Sequence, residues 1–150
     1  MRLFSRTPVR TFLLYPLLVI VWELIWHKGT FDIKPLFLPL MLWGYLQYRL
    51  CGLYRIKHGG GGPGLETPPE RLVATGPYAY TRNPMYLGHI IYLTGMSLTL
   101  RSWFAAVITV AVALWFHRRV IGDEKKLAAR LGQPYVQYMK SVKRWLPGLI

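Results

Sequence analysis

The stretch PMYLGHIIYLTGMSLTLRSWFAAVITVAVALWF, residues 84–116, decides the fold. Its one charge, Arg101, sits beside Ser102, so the stretch reads as two apolar helices, residues 84–100 and 103–117, joined by a tight turn. At 1.5 Å per residue these arms reach about 21–26 Å, short of the roughly 30 Å hydrocarbon core of a bilayer, and either alone would also suit a buried helix. Upstream lie two more oily runs. TFLLYPLLVIVWELIW, residues 11–26, has one charge, Glu23, and PLFLPLMLWGYLQY, residues 35–48, has none and continues past Arg49 to residue 54. Four such helices leave a chain of 150 residues too little polar sequence to cover them. The expectation is an all-α fold: one domain over residues 1–150, an integral membrane helical bundle of about four transmembrane helices with a cytoplasmic helical tail.

Composition agrees. A 53% hydrophobic content accompanies 19 Lys and Arg against 6 Asp and Glu, for a net charge of +13. A soluble nucleic-acid binder of that charge would be polar along much of its length, whereas charged residues here are only 17% and crowd into a few segments, so no nucleic acid is expected as partner. Of the nineteen cations, fifteen fall before the first run, between the second and third, or after the fourth. Only Lys28, Lys34 and Arg101 fall on the other side, with Arg49 inside the second run. The positive-inside rule then places both termini in the cytoplasm, of a bacterial inner membrane for preference, with Trp26, Trp103 and Trp115 as interfacial anchors. The N-terminal run has no clear small-residue cleavage site, so it reads as a span and not as a cleaved signal.

Two polar regions remain. Residues 55–83 form a cytoplasmic linker whose glycines, Gly59 to Gly62, read as flexible backbone, since no predicted strand precedes them and no nucleotide-loop spacing is present. Residues 118–150 form the cytoplasmic tail. It begins as a helix, stops at Gly132 and restarts at Pro134, and the restarted helix places Tyr135, Tyr138, Val142 and Trp145 opposite Lys140 and Lys143. Such a helix is expected to lie on the membrane surface.

Chemistry is scarce elsewhere. His27, His58, His89 and His117 form no HxxxH or HExxH pair, so no metal is expected. Cys51, the one cysteine, lies in an apolar run with no base near it in sequence and reads as a packing thiol. The unusual stretch is ATGPYAYTRNPMYLG, residues 74–88, which packs glycines, prolines, tyrosines and an arginine into the entry of a membrane helix, where plain apolar sequence would suffice for insertion. Asn83 suits an N-cap, Pro84 the first helical turn and Gly88 a close backbone approach. The adjacent acids Asp123 and Glu124 follow the fourth run, and the hairpin must bring them to the start of the third.

These two clusters carry a resemblance. GPYAYTRNPMYLG, followed about 35 residues later by DEKKLAARLGQPYVQYMKSVKRWLP, resembles the membrane methyltransferases that include isoprenylcysteine carboxyl methyltransferases and phospholipid N-methyltransferases. Tyr78, Arg82, Pro84, Tyr86, Gly88, Glu124, Tyr135 and Tyr138 match that pattern; Asn83 stands where many members have histidine, and Asp123 replaces the first glutamate of a pair. The resemblance implies S-adenosyl-L-methionine as cofactor, held by Val73, Gly76, Tyr78, Arg82, Asn83, Pro84, Tyr86, Gly88, Asp123 and Glu124, with Glu124 and Arg82 as the catalytic pair. The implied acceptor is lipophilic, a prenylcysteine carboxylate or a lipid head group. Physical chemistry is compatible: a sulfonium favours carboxylates and aromatic faces, its carboxylate favours an arginine, and methyl transfer needs alignment and dryness more than a nucleophile. The rival readings are a membrane reductase using a nicotinamide cofactor on a sterol-like substrate, and a nonenzymatic adaptor with its basic tail on anionic lipid.

Overall fold

The computed structural model describes residues 6–29, 33–62 and 64–146. Among them the chain is helical, with no strand: α1 Thr7–Trp26, α2 Leu38–Gly59, α3 Pro84–Thr99, α4 Trp103–Leu131 and α5 Gln133–Ser141. Arg2 and Pro63 lie outside the described residues.

Helix α1 begins four residues earlier than the apolar run suggests, with Pro8 in its first turn. Its second turn, Arg10–Leu14, widens to a π-helical path in which the Tyr15 N–H reaches the Arg10 carbonyl. The cause is Pro16, which lacks an N–H and whose ring crowds the carbonyl four residues back. Thr7, Thr11, Val19 and Glu23 are buried along one narrow stripe, while Leu13, Leu17, Val21 and Ile25 are among the apolar residues exposed around it. The outer sides of α2 and α4 are apolar too: Leu42, Trp43 and Leu50 on one, Val107, Val110 and Leu114 on the other. Exposed apolar area of this extent marks a surface made for a non-aqueous neighbour.

Two more expected boundaries move. Helix α2 runs to Gly59, not residue 54, because Arg55 and Lys57 mark an exit from apolar surroundings without breaking a helix; the glycine run does that. The expected fourth span is the first half of one continuous 29-residue helix, α4, which no breaker interrupts until Gly132 at φ +68°. By length and apolar composition two helices, α1 and α4, are fit to cross a membrane. Helix α2 carries Arg49, Arg55 and Lys57, and the 16 residues of α3 give only about 24 Å of helix.

Helix α3 is the centre of the molecule. Met85, Tyr86, His89, Leu93 and Met96 are buried on it, packed chiefly against α2 and then α4. The α2–α3 crossing is close because Gly44 and Gly88 face each other. A Cβ at Gly88 would stand 2.7 Å from the Gly44 carbonyl oxygen and 2.8 Å from the Tyr48 nitrogen, contacts that backbone cannot relieve. On α4, by contrast, a Cβ at Gly122 would meet nothing within 4 Å. The same substitution should therefore act with opposite signs. Gly88→Ala is expected to cost about 1–3 kcal/mol through overpacking, and Gly122→Ala to gain up to about 1 kcal/mol of helix propensity. Melting temperatures in one detergent decide it; equal shifts in the two variants would disprove the close crossing.

One end of the bundle is tied at Glu23. Its Oε1 accepts the Ser102 hydroxyl at 2.5 Å and its Oε2 lies 3.1 Å from His27 Nε2, while the Lys34 N–H reaches the Thr99 carbonyl at 2.7 Å. The α1–α2 connection and the α3–α4 turn thus share one end, and the cavity described next occupies the other.

The linker is not the flexible segment that its glycines suggest. Buried Arg55 donates from Nη2 to the carbonyls of Gly62, Gly64 and Thr67, at 3.1, 2.5 and 2.9 Å, winding the irregular backbone around one guanidinium.

Candidate functional site

A cavity of about 750 Å³ opens where the entry to α3, the second half of α4, the linker and α5 meet. That volume falls in the usual range for small-molecule sites, roughly 300–1,000 Å³. Of the expected residues, Val73, Tyr78, Arg82, Asn83, Pro84, Tyr86, Asp123 and Glu124 line it. Gly76 and Gly88 do not: a Cβ at Gly76 would run into the Tyr54 ring, and Gly88 serves the helix crossing.

The hairpin does bring the two polar clusters together. Glu124 is only 2% exposed, and both its oxygens are engaged. Oε1 lies 3.1 Å from Arg82 Nε, as an ion pair whose N–H is not well aimed, and accepts from Asn83 Nδ2 at 3.3 Å. Oε2 receives Arg144, from Nε at 3.0 Å and Nη2 at 2.9 Å. Asn83 is therefore no side-chain N-cap: its amide turns away from the helix end to Glu124 and to the Arg144 carbonyl at 3.2 Å. Arg82 and Glu124, expected to face a cofactor, bind each other first.

Asp123 is placed differently. The Tyr86 hydroxyl donates to its Oδ2 at 2.8 Å, and Arg119 Nε stands 3.7 Å from that same oxygen. Oδ1 takes part in neither contact. Arg119 in turn lies over the Tyr86 and Trp115 rings and donates to the Thr7 hydroxyl at 2.9 Å. Glu66, on the linker wall, accepts the Thr7 N–H at 2.9 Å, tying the start of α1 to the site. Burial raises the Glu66 carboxyl, but the Thr7 hydrogen bonds and the Arg119 charge together hold it below the ordinary range.

Helix α5 closes the cavity from the tail side. Tyr135 and Tyr138 are each 6% exposed, and the Tyr138 hydroxyl donates to the Tyr78 carbonyl at 2.6 Å. These tyrosines turn into the protein, a correction to the expected surface helix: an amphipathic pattern names an apolar face but not what covers it. The helix also ends at Ser141, so Val142 and Trp145 lie beyond it, the indole of Trp145 donating to His117 Nδ1 at 3.1 Å. Residues 139–144 are stitched to the entry of α3. Arg82 Nη1 donates to the Met139 carbonyl, the Arg82 N–H to that of Lys143, and the Thr81 hydroxyl to that of Arg144, at 2.9, 3.0 and 3.0 Å.

Burial pushes the Tyr135 phenol up to about 12, helped by the nearby Glu124 charge, and raises Tyr78 and Tyr138 well above the ordinary value. All three are neutral at any working pH. They offer hydroxyls and aromatic faces, not bases. Among the described residues no cluster of His, Cys, Asp and Glu could hold a metal ion. Sequence reasoning missed the roles of Arg144, Glu66 and Arg55 and the reach of Arg119 to Thr7, contacts that only the folded chain assembles.

Residues 63–131, which supply most of the cavity wall, match the phospholipid methyltransferase family. A stretch of 78 residues, 51% of the chain, is 35% identical to the Protein-S-isoprenylcysteine O-methyltransferase of Schizosaccharomyces pombe. The match spans about a third of that relative's length, 33%. Together with the apolar outer faces of the helices, these matches make the chain similar to the phospholipid and isoprenylcysteine methyltransferases over about half of its length.

Proposed function

We propose that the chain moves a methyl group from S-adenosyl-L-methionine to a lipophilic acceptor, a prenylcysteine carboxylate or a lipid head group. The observation that carries this reading is the meeting of the 82–86 and 123–124 clusters in one cavity inside the family-matched segment. The donor set fits the cofactor. Asp123 Oδ1 is open to a positive group, neutral Tyr78 and Tyr135 present aromatic faces, and the volume suffices. When bound, the cofactor supplies a methyl carbon on a positive sulfur that departs as a neutral thioether.

The protein's own residues have three tasks. Asp123 and the tyrosines hold the positive end in place. Glu124 positions Arg82, Asn83 and Arg144, and through them the tail that covers the cavity. The apolar wall of Val73, Leu72 and Leu127 keeps water from the reacting atoms. No base is needed for a carboxylate acceptor, so neutral phenols are no obstacle.

The same reading includes four spans in one domain, both termini in the cytoplasm and the cavity at that side. It is supported by the charge bias and by the shared end of the α1–α2 and α3–α4 connections. Gly29→Cys and Arg101→Cys should react with an impermeant maleimide from outside, and Lys125→Cys only after the cells are opened. Labelling in the reverse order would overturn the topology. For the cofactor, calorimetry of the detergent-solubilised protein should give saturable binding of S-adenosylhomocysteine and none of the reduced nicotinamide. The opposite result would favour the reductase, which the family matches do not.

A further inference from the structure

Six cationic side chains line the cavity against three carboxylates. Four of the six are committed: Arg55 to linker carbonyls, Arg82 to Glu124, Arg119 to Asp123 and Thr7, and Arg130 to the Pro69 carbonyl. Arg118 and Lys126 have no hydrogen bond or ion pair among the described residues. They stand two turns apart on one face of α4, about 12 Å along the axis, with Gly122 midway between them. That glycine also lines the cavity, and space is open where its side chain would be. A notch flanked by two uncommitted cations is the outcome.

Its position narrows the occupant. Arg118 follows directly on the apolar half of α4, at the level where lipid head groups lie, and Lys126 stands above it on the aqueous side. S-adenosyl-L-methionine carries a net positive charge, so its arrival adds to the excess instead of cancelling it. An anion on the second ligand restores the balance. Long side chains at i and i+8 can reach toward the same gap at i+4, offering ammonium and guanidinium donors to carboxylate or phosphate oxygens alike.

We infer that Arg118, Lys126 and the notch at Gly122 form the subsite for the anionic group of the membrane-borne methyl acceptor. The assignment of that anion to the acceptor rests on the methyltransferase reading. Carboxylate and phosphate share the required chemistry, and the oily tail distinguishes a membrane-borne anion from a free one.

The test uses the whole protein in neutral maltoside micelles, titrated with dodecyl phosphate, laurate and inorganic phosphate, with S-adenosylhomocysteine as a separate arm. Wild-type protein should bind at least one of the two amphiphiles saturably, and inorganic phosphate at least about tenfold more weakly. Arg118→Gln with Lys126→Gln should weaken amphiphile binding about tenfold or more. Gly122→Leu, which changes no charge and whose Cβ meets nothing within 4 Å, should do the same. Lys125→Gln, one residue away and off the cavity, should leave it within twofold and should keep the affinity for S-adenosylhomocysteine. Equal weakening by Lys125→Gln would show diffuse attraction and overturn the subsite. So would unchanged binding in the double variant or in Gly122→Leu, or inorganic phosphate binding as tightly as the amphiphiles. If the wild type fails to bind S-adenosylhomocysteine while the amphiphile arms behave as expected, the methyltransferase reading falls and the subsite remains as a lipid-anion site.

Discussion

Glu124→Gln should lower the affinity for S-adenosylhomocysteine about tenfold or more and the melting temperature by about 6–12 °C. The carboxylate is 2% exposed and sits between two guanidiniums, Arg82 at 3.1 Å and Arg144 at 2.9 Å. Glutamine has nearly the same shape but no charge, and its amide nitrogen presents a donor to a guanidinium that is itself a donor. Breaking a buried ion pair from one side costs about 3–5 kcal/mol, because the remaining charge loses its partner in poorly solvated surroundings. For a chain of this size 1 kcal/mol corresponds to about 2–4 °C, which sets the lower end of the expected shift. The loss in affinity follows because Asn83 and Arg82, both on the cavity wall, lose the group that orients them. Adding Arg144→Gln should recover part of the stability by removing one orphaned charge, without restoring affinity. A folded Glu124→Gln variant with unchanged melting and unchanged binding would remove Glu124 from the site.

The fold was legible wherever the signal is compositional and local. Charge-free runs locate helices because inserting a charge into apolar surroundings is costly, and a two-residue gap such as Arg101 and Ser102 leaves the chain no choice but to turn back. From that turn the meeting of residues 82–86 with 123–124 follows geometrically, and the Tyr86–Asp123 and Asn83–Glu124 contacts realise it. Partner choice was not legible. Arg144 is one of eight cations after residue 117, and nothing local separates it from Lys140 or Lys143; only the folded tail carries it to Glu124. Arg55 looked like an exit charge of α2 and instead organises the linker. The direction in which Tyr135 and Tyr138 face was equally hidden, since a bilayer and a neighbouring protein wall make the same demand on an amphipathic helix. Asn83 was misread for a related reason: its capping propensity is local, and the stronger charged acceptor at Glu124 is not.

Removing residues 132–150 is the larger perturbation, and binding of S-adenosylhomocysteine should fall at least about a hundredfold. Tyr135 and Tyr138 are walls of the cavity, so truncation opens it to water on the side they cover. The same cut removes the carbonyls of Met139, Lys143 and Arg144, which hold Arg82, Thr81 and Asn83, and removes the Arg144 guanidinium from Glu124. Two orders of magnitude correspond to about 2.8 kcal/mol, no more than two or three charge-assisted hydrogen bonds and well within what this cut eliminates. Smaller lesions separate the contributions. Tyr138→Phe deletes only the hydroxyl bond to the Tyr78 carbonyl and should cost about 1 kcal/mol, a loss of a few fold. Arg144→Lys keeps a charge near Glu124 but loses the two-nitrogen contact, and should fall between the two. The graded order of Tyr138→Phe, Arg144→Lys and truncation is the signature of a tail that builds the site. If the truncated protein, shown to be folded by its helical circular dichroism and a cooperative melt, retains wild-type affinity, then the tail merely rests against the cavity and the closure assigned to it is wrong.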